Sequence, residues 1–446
     1  MQARHDTSDH GIGCTRRQFI GMSALAGAGL LTGCAANPVT GQSQLMLVSE
    51  GEEIQLDREN SPHQFSADYG VTQDTRLTAY MAETGKRLAV ITHRPQMPYR
   101  FEVVNAVYIN AYAFPGGSIG VTRGILLKLG DEAELASLLG HELGHVNSRH
   151  TAQQMSKGTL TQAVIGGLAI AAGTQGRLYG DIAAQVGMLG AGALLATYSR
   201  ANEREADALG LAYMTRAGYG ADGFIGLMDM LNTMNTHKSN AIELMFATHP
   251  MSSERYETAV REVNTQYAAK KGLPRYRERY MDNIAGVRAQ APAIEAMQRG
   301  DAAMAQNTLD VAEKEYRSAL KAAPEDYTAL VVMAKNQIAQ KKFSEAAGYT
   351  RQAAAVYPQE AQAHYLGGYA AIQTKKYEDA LASLTAYDKI FPGNPQIQYL
   401  RGRAYEGMGR REAAAKDFYG FLQKVREGDE AQYAYRRLVE WGYVKQ

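Results

Sequence analysis

The segment His141-Glu142-Leu143-Gly144-His145 sets two imidazoles four residues apart, with a carboxylate beside the first. On a helix, residues four apart share a face, so both rings can reach one cation. Glu142 then stands next to that ion and can take a proton from water bound to it, the chemistry of metal-assisted peptide hydrolysis. At this chain's composition the pattern arises by accident on the order of one time in a hundred. Leu138, Leu139 and Leu143 also place it on a half-buried helix rather than a solvated one.

A catalytic zinc needs a third protein ligand and one open position. His150 follows His145 by five residues on the same helical trend and is expected to point away. An extended motif with Gly at 148 and His at 151 fails, because Ser148 and Thr151 stand there. The better candidate is Glu203, within Ser199-Arg200-Ala201-Asn202-Glu203-Arg204-Glu205-Ala206-Asp207. Glu203 and Asp207 are four apart on a predicted helix, so a ligand and a supporting carboxylate can share one face. Asp207 would then accept the outer N–H of a ligating His and set its tautomer. Taken without the upstream motif, Glu203, Glu205 and Asp207 read as an ordinary solvated helix face.

These residues need elements to hold them. Asp131 is expected to cap the motif helix, with Glu134 completing a capping box. Helical periodicity covers Asp74 to Leu88, and Tyr99 to Asn105 alternates as a strand. Val107 to Val121 reads as a strand pair turning at Phe114-Pro115-Gly116-Gly117. The strand around Ala113 to Val121 is expected to pair with extended substrate, a mode that asks for little sequence. The Gly/Ala-rich stretch from Gln162 to Thr197 is broken by Gln175, Arg177 and Asp181, and is expected to be a helical hairpin rather than a membrane span.

With 446 residues, two domains are expected. Apolar residues at 45% and charged residues at 21% are ordinary globular composition. A net charge of +1 without a basic stripe argues against a nucleic-acid partner. The two cysteines, Cys14 and Cys34, both fall in a segment that reads as an export signal, leaving His and carboxylates to make any metal site. Thr15-Arg16-Arg17-Gln18-Phe19-Ile20 resembles a twin-arginine signal. The short apolar run after it ends in Leu31-Thr32-Gly33-Cys34, which resembles a lipobox with lipid expected on Cys34. Ala35 behind the cysteine leans toward anchoring at the outer membrane, in the periplasm.

The tail repeats. Pro324, Pro358 and Pro392 recur every 34 residues, as do Ala312, Ala346, Ala380 and Ala414, and Gly300, Ala334, Gly368 and Gly402. Small residues let paired helices approach and the prolines close each unit, which resembles the tetratricopeptide repeat. About four units are expected, with a capping helix from Ala431 to Tyr443 and a groove for a protein partner. The expected division is therefore a signal over 1–33, a peptidase domain over 34–270, a linker helix over 271–292 and repeats over 293–446.

Taken together, HExxH followed about 58 residues later by ExEAD resembles metallopeptidase family forty-eight, the HtpX and CAAX-prenyl-protease group. Asn37-Pro38-Val39-Thr40-Gly41, Phe114-Pro115-Gly116-Gly117 and Thr248-His249-Pro250 resemble segments of its soluble periplasmic members, some of which carry the same repeats. The resemblance implies a mainly α fold, with a gluzincin-like α+β zinc domain followed by an all-α repeat solenoid. It implies His141, His145 and Glu203 as ligands of one zinc ion and Glu142 as general base. Implied substrates are unfolded or misassembled polypeptides, in outer-membrane protein quality control, with the assembly machinery as a candidate partner of the repeats. Such members usually carry an ordinary secretory signal, whereas this chain carries the twin-arginine type and a lipobox. His249 is left with three readings: oxyanion stabiliser, cap on the open position, or loop histidine before a turn proline. The rival functions are a non-catalytic periplasmic chaperone or scaffold, against which Glu142 argues, and an intramembrane prenyl-type protease, against which the missing spans argue.

Overall fold

The computed structural model describes residues 34–156, 198–237 and 240–444. The expected export signal over 1–33 and the hairpin expected over 162–197 lie outside the described residues. No helix among the described residues is long and apolar enough to cross a membrane.

A short antiparallel hairpin, β1 (Cys34–Ala36) and β2 (Ser43–Leu45), leads into helix α1 (Glu50–Ala67). Ser49 and Glu52 form a capping box that starts α1. Asp74 caps α2 (Thr75–Ala89), whose buried Leu77, Met81 and Leu88 form the apolar stripe that its spacing predicts. A three-stranded sheet follows: β3 (Arg100–Val104), β4 (Ala111–Ala113) and β5 (Ser118–Thr122), in the order β3-β5-β4. β3 runs parallel to β5, and β4 antiparallel to it. The turn at 114–117 needs Gly117, whose φ of 106° is closed to most side chains. Because β5 is paired on both sides, substrate pairing along the whole of Ala113–Val121 is ruled out. β4, which meets that stretch only at Ala113, has an outer edge that no other described strand covers.

After the short helix α3 (Arg123–Leu126), the motif helix α4 (Glu132–Asn147) is buried along its whole length. Asp131 accepts a hydrogen bond from the Glu134 N–H, as its cap position requires. The expected box does not close: Glu134 accepts instead from the N–H of Gly130, one residue further out. The chain leaves α4 through Arg149 at φ 59° and is helical again over 150–156, so the helical trend stops before His150.

α5 (Arg200–Arg216) lies against α4. A Cβ on Gly144 would fall 2.9 Å from the Ala206 backbone, and one on Gly140 2.9 Å from the Gly210 carbonyl. Glycine at these places is what lets the two backbones approach so closely. α6 (Asp222–His237), α7 (Glu243–Thr248) and α8 (Ser253–Asn264) complete this part. Residues 271–292, expected as a linker helix, form α9 (Arg277–Asn283) and α10 (Ala285–Ala289) and enter α11 (Ala291–Ala305). They are packed into the core: Tyr280 is fully buried and donates to the Leu126 carbonyl at 2.6 Å.

The remaining helices pair as the 34-residue period predicts: α11 with α12 (Leu309–Ala322), α13 (Tyr327–Ala339) with α14 (Phe343–Val356), α15 (Ala361–Gln373) with α16 (Tyr377–Ile390), and α17 (Pro395–Gly407) with α18 (Arg411–Leu422). α19 (Asp429–Glu440) closes the stack. Gly300, Gly368 and Gly402 receive the side chains of Tyr316, Leu384 and Phe418 from the partner helix. A single apolar cluster runs from Leu77 through Val332 and Met333, so the first repeat helices share the core of the preceding part.

Candidate metal centre

α4 delivers His141 and His145 one turn apart, and α5 crosses behind it with Glu203 in its first turn. Ser199 caps α5 with Asn202, which fixes where that first turn begins. His249, the C-cap of α7, enters from a third direction. All four side chains are buried, and one donor atom from each lies within 4.8 Å of the others.

His141 Nε2 is 3.1 Å from His145 Nε2 and 3.3 Å from His249 Nδ1. Glu203 Oε1 is 3.3 Å from His145 Nε2 and 3.1 Å from His249 Nδ1, and its Oε2 is 3.6 Å from His141 Nε2. Four ligands held at about 2.0–2.1 Å around a tetrahedral ion would stand roughly 3.3–3.4 Å apart. Neutral imidazoles that aim lone pairs at one another and at a carboxylate repel unless something positive lies between them. Spacing and donor chemistry therefore both fit one divalent cation.

The outer sides of these groups are held as well. Asp207 Oδ1 lies 2.9 Å from His141 Nδ1, close but not aligned as a hydrogen bond. Arg255 grips two carboxylates of α5, Glu203 and Asp207: its Nη1 is 2.6 Å from Glu203 Oε2, and its Nε and Nη2 donate to Asp207 at 2.7 and 2.8 Å. It also donates to the Pro250 carbonyl, beside His249. The Tyr198 ring stacks on His145 at 3.7 Å between centroids. His150, rejected as a ligand, approaches His145 from behind, with 3.0 Å between their Nδ1 atoms. Arg255, Tyr198 and the contact of His150 were not singled out from sequence. Nothing in the spacing marks Arg255 or Tyr198, since each reaches the site only through the packing of separate elements.

Glu142 lies on the same turn, wholly buried, its nearer oxygen 3.9 Å from His249 Nε2. Neither carboxylate oxygen has a hydrogen-bond partner. Burial raises its carboxyl above the ordinary range, with His249 and His141 opposing and Glu203 reinforcing. For Glu203 burial also acts upward, but His249, His145 and His141 prevail and hold it well below. Burial keeps His145 well below its ordinary value, hence neutral as a ligand must be. Burial would lower His249 too, yet Glu203 and Glu142 raise it, so the field at this point favours positive charge.

A narrow cleft lined by Ala113, Phe114, Pro115, His145 and Val146 separates the β4 strand from the site.

Residues 75–264 match the model described as Peptidase family M48, and residues 297–335 and 331–395 match that of a tetratricopeptide repeat. The chain is 31% identical over 239 residues to a putative beta-barrel assembly-enhancing protease of Vibrio cholerae, covering 50% of this chain and 47% of that protein. It is 27% identical over 233 residues to the beta-barrel assembly-enhancing protease of Escherichia coli, covering 51% and 47%. Metalloprotease YcaL of Escherichia coli is 28% identical over 185 residues, covering 40% of this chain and 70% of that protein. The chain thus spans about half the length of the two assembly-enhancing proteases.

Proposed function

This chain carries a peptidase family M48 domain joined to tetratricopeptide repeats, and from that premise we propose that it is a zinc-dependent endopeptidase of the cell envelope. Its substrates are unfolded or misassembled polypeptides, in outer-membrane protein quality control. Catalysis is assigned to 34–270 and partner binding to the groove of 293–446, with the outer-membrane assembly machinery as the candidate partner. An export signal over 1–33 and lipid on Cys34 place the chain on the periplasmic face of the outer membrane.

One observation carries the reading: the donors of His141, His145 and Glu203 converge on one point while the unpartnered carboxylate of Glu142 waits beside it. A structural metal site has no use for that carboxylate. The names of the relatives support protease chemistry and a link to β-barrel assembly.

In this mechanism His141, His145 and Glu203 hold the ion, and Asp207 and Arg255 keep the ligands aimed. Once bound, zinc supplies a Lewis acid that polarises the scissile carbonyl and makes water acidic enough to react near neutral pH. Glu142 takes the proton from the attacking water and passes it to the leaving amine. Burial, which raises its carboxyl above the ordinary range, makes it a stronger base for the first of these transfers. The edge of β4 aligns the substrate in extended form through main-chain hydrogen bonds. Only a chain that is locally unfolded can offer such an edge, which gives selection for damage without selection for sequence.

His249 supplies the fourth donor, and in this reading it caps the position that substrate must take. His249→Ala is then expected to raise the rate of cleavage several-fold; kinetics equal to the parent would remove His249 from the mechanism.

The deciding experiment incubates parent and Glu142→Gln with an unfolded protein, with and without a chelator. Cleavage by the parent that chelator abolishes, together with a rate loss of about 10²–10⁴-fold in the variant, is expected. Cleavage unaffected by the substitution would defeat the mechanism, and a parent that neither cleaves nor binds metal would leave the scaffold reading in its place.

A further inference from the structure

The motif Asn37-Pro38-Val39-Thr40-Gly41 and the pair His150 and Glu205 have no part in the mechanism so far, yet they meet behind the metal centre. His145 presents Nε2 to the cluster and Nδ1 to the opposite side. There His150 Nδ1 stands 3.0 Å away, and His150 Nε2 is 3.3 Å from Glu205 Oε2. The other oxygen of Glu205 accepts from Ser148 Oγ at 2.8 Å and from Asn37 Nδ2 at 3.3 Å.

The polarity of this chain of contacts is set by chemistry. If His145 is to offer a lone pair at Nε2, its proton sits on Nδ1 and donates to His150. His150 must then accept at Nδ1 and carry its own proton on Nε2, which donates to the Glu205 carboxylate. Every other group on Glu205 is a donor, so the carboxylate is met as an anion throughout. The arrangement works in one direction only, toward a neutral His145 with its lone pair facing the ion.

The parts are also fixed in place. His150 is 1% exposed. Its return toward His145 depends on the break at 148–149, where Arg149 takes a left-handed conformation. Arg149 is held there by the buried Glu53 at 3.1 Å and by the Val48 carbonyl at 2.7 Å. Asn37 is equally committed: its Oδ1 accepts from the N–H groups of Val39 and Thr40, shaping the turn between β1 and β2. Gln44 of that hairpin accepts from Gln153, and the Leu47 N–H donates to Ser156, so the hairpin is fastened to 150–156.

We propose that Asn37, Glu205 and His150 form a positioning relay that sets the tautomer and aim of His145, making the hairpin that begins at Cys34 part of the frame of the metal centre. The inference rests on the proposed function, since it assumes that His145 ligates an ion. Groups that orient a ligating histidine typically contribute 10–100-fold in metal affinity.

The test uses the full mature chain in parent form and as His150→Ala, His150→Gln, Glu205→Gln and Asn37→Ala. Zinc affinity is measured by titration against a competing chelator, and the visible spectrum of the cobalt-loaded protein reports ligand geometry. His150→Ala is expected to weaken zinc binding about 10–100-fold and to alter the cobalt spectrum. His150→Gln should recover much of the loss, because its amide oxygen can accept from His145 Nδ1–H. Glu205→Gln and Asn37→Ala should fall between them and the parent. Metal affinity and spectra equal to the parent in His150→Ala, or in both Glu205→Gln and Asn37→Ala should His150→Ala fail to fold, would overturn the relay. A parent that binds no metal would instead overturn the proposed function itself.

Discussion

Around His141 and at the junction of α1 and α3 with the repeats, the molecule buries charge in two different ways. At the junction the groups complete one another. Arg123 pairs with Asp326 at 2.7 Å and donates to Thr328, Gln290 and the Asn105 carbonyl. Glu360 accepts from Ser66 and from the Ala361 and Gln362 N–H groups, and Lys335 lies 4.5 Å from the Tyr69 ring centroid. At the metal centre, lone pairs face one another and Glu142 has no partner. A buried polar group left unpaired costs stability that a paired one does not. The contrast separates an assembly built for rigidity from one whose strongest interactions await an ion and a substrate.

Three measurements would break or sharpen that contrast. The largest effect belongs to Glu142→Gln, whose loss of about 10²–10⁴-fold in turnover should come with no fall in melting temperature. A variant that unfolds would mean the carboxylate holds the fold together after all. The opposite pattern is expected of Arg123→Ala, which strands Asp326 in the interior. Stability should drop by about 3–5 kcal/mol in denaturant titration, while turnover per folded molecule stays near that of the parent. Activity lost in step with metal affinity would make the junction part of the catalytic apparatus.

The smallest effect concerns pH. Burial pushes the Glu360 carboxyl up to about 7, against the hydrogen bonds from Ser66 and the backbone and the charge of Lys335. Unfolded, it titrates near 4.5. The folded state therefore holds its proton longer, and this contribution is full below the unfolded value and lost as pH rises toward 7. Glu360→Gln has no proton to lose, so its stability relative to the parent should grow between pH 5 and pH 8, by roughly 2–3 kcal/mol at most. Equal differences at the two pH values would show that the carboxylate is not confined as described.

Much of this was legible in the chain itself. The spacing of His141 and His145 dictates a shared face as soon as α4 is helical, and the positions of Gly300, Gly368 and Gly402 dictate where partner helices insert large side chains. The expected box at Asp131 failed because Glu134 turned to the Gly130 N–H and to Arg275, a partner 141 residues away. The linker expected over 271–292 became core because Tyr280 found the Leu126 carbonyl, a choice invisible in local composition.

What the sequence determined alone are the quantities set at short range: two imidazoles per turn, a 34-residue period and the cap at Asp131. Only the tertiary structure decided which distant groups met them. Glu203 reaches His145 because Gly140, Gly144 and Gly210 let two helices nearly touch, and Arg255, His150 and Asn37 arrive from three separate elements. Periodicity is a local property, set by the geometry of one helix. Convergence is set by how all the elements pack, and no short stretch of residues contains that information.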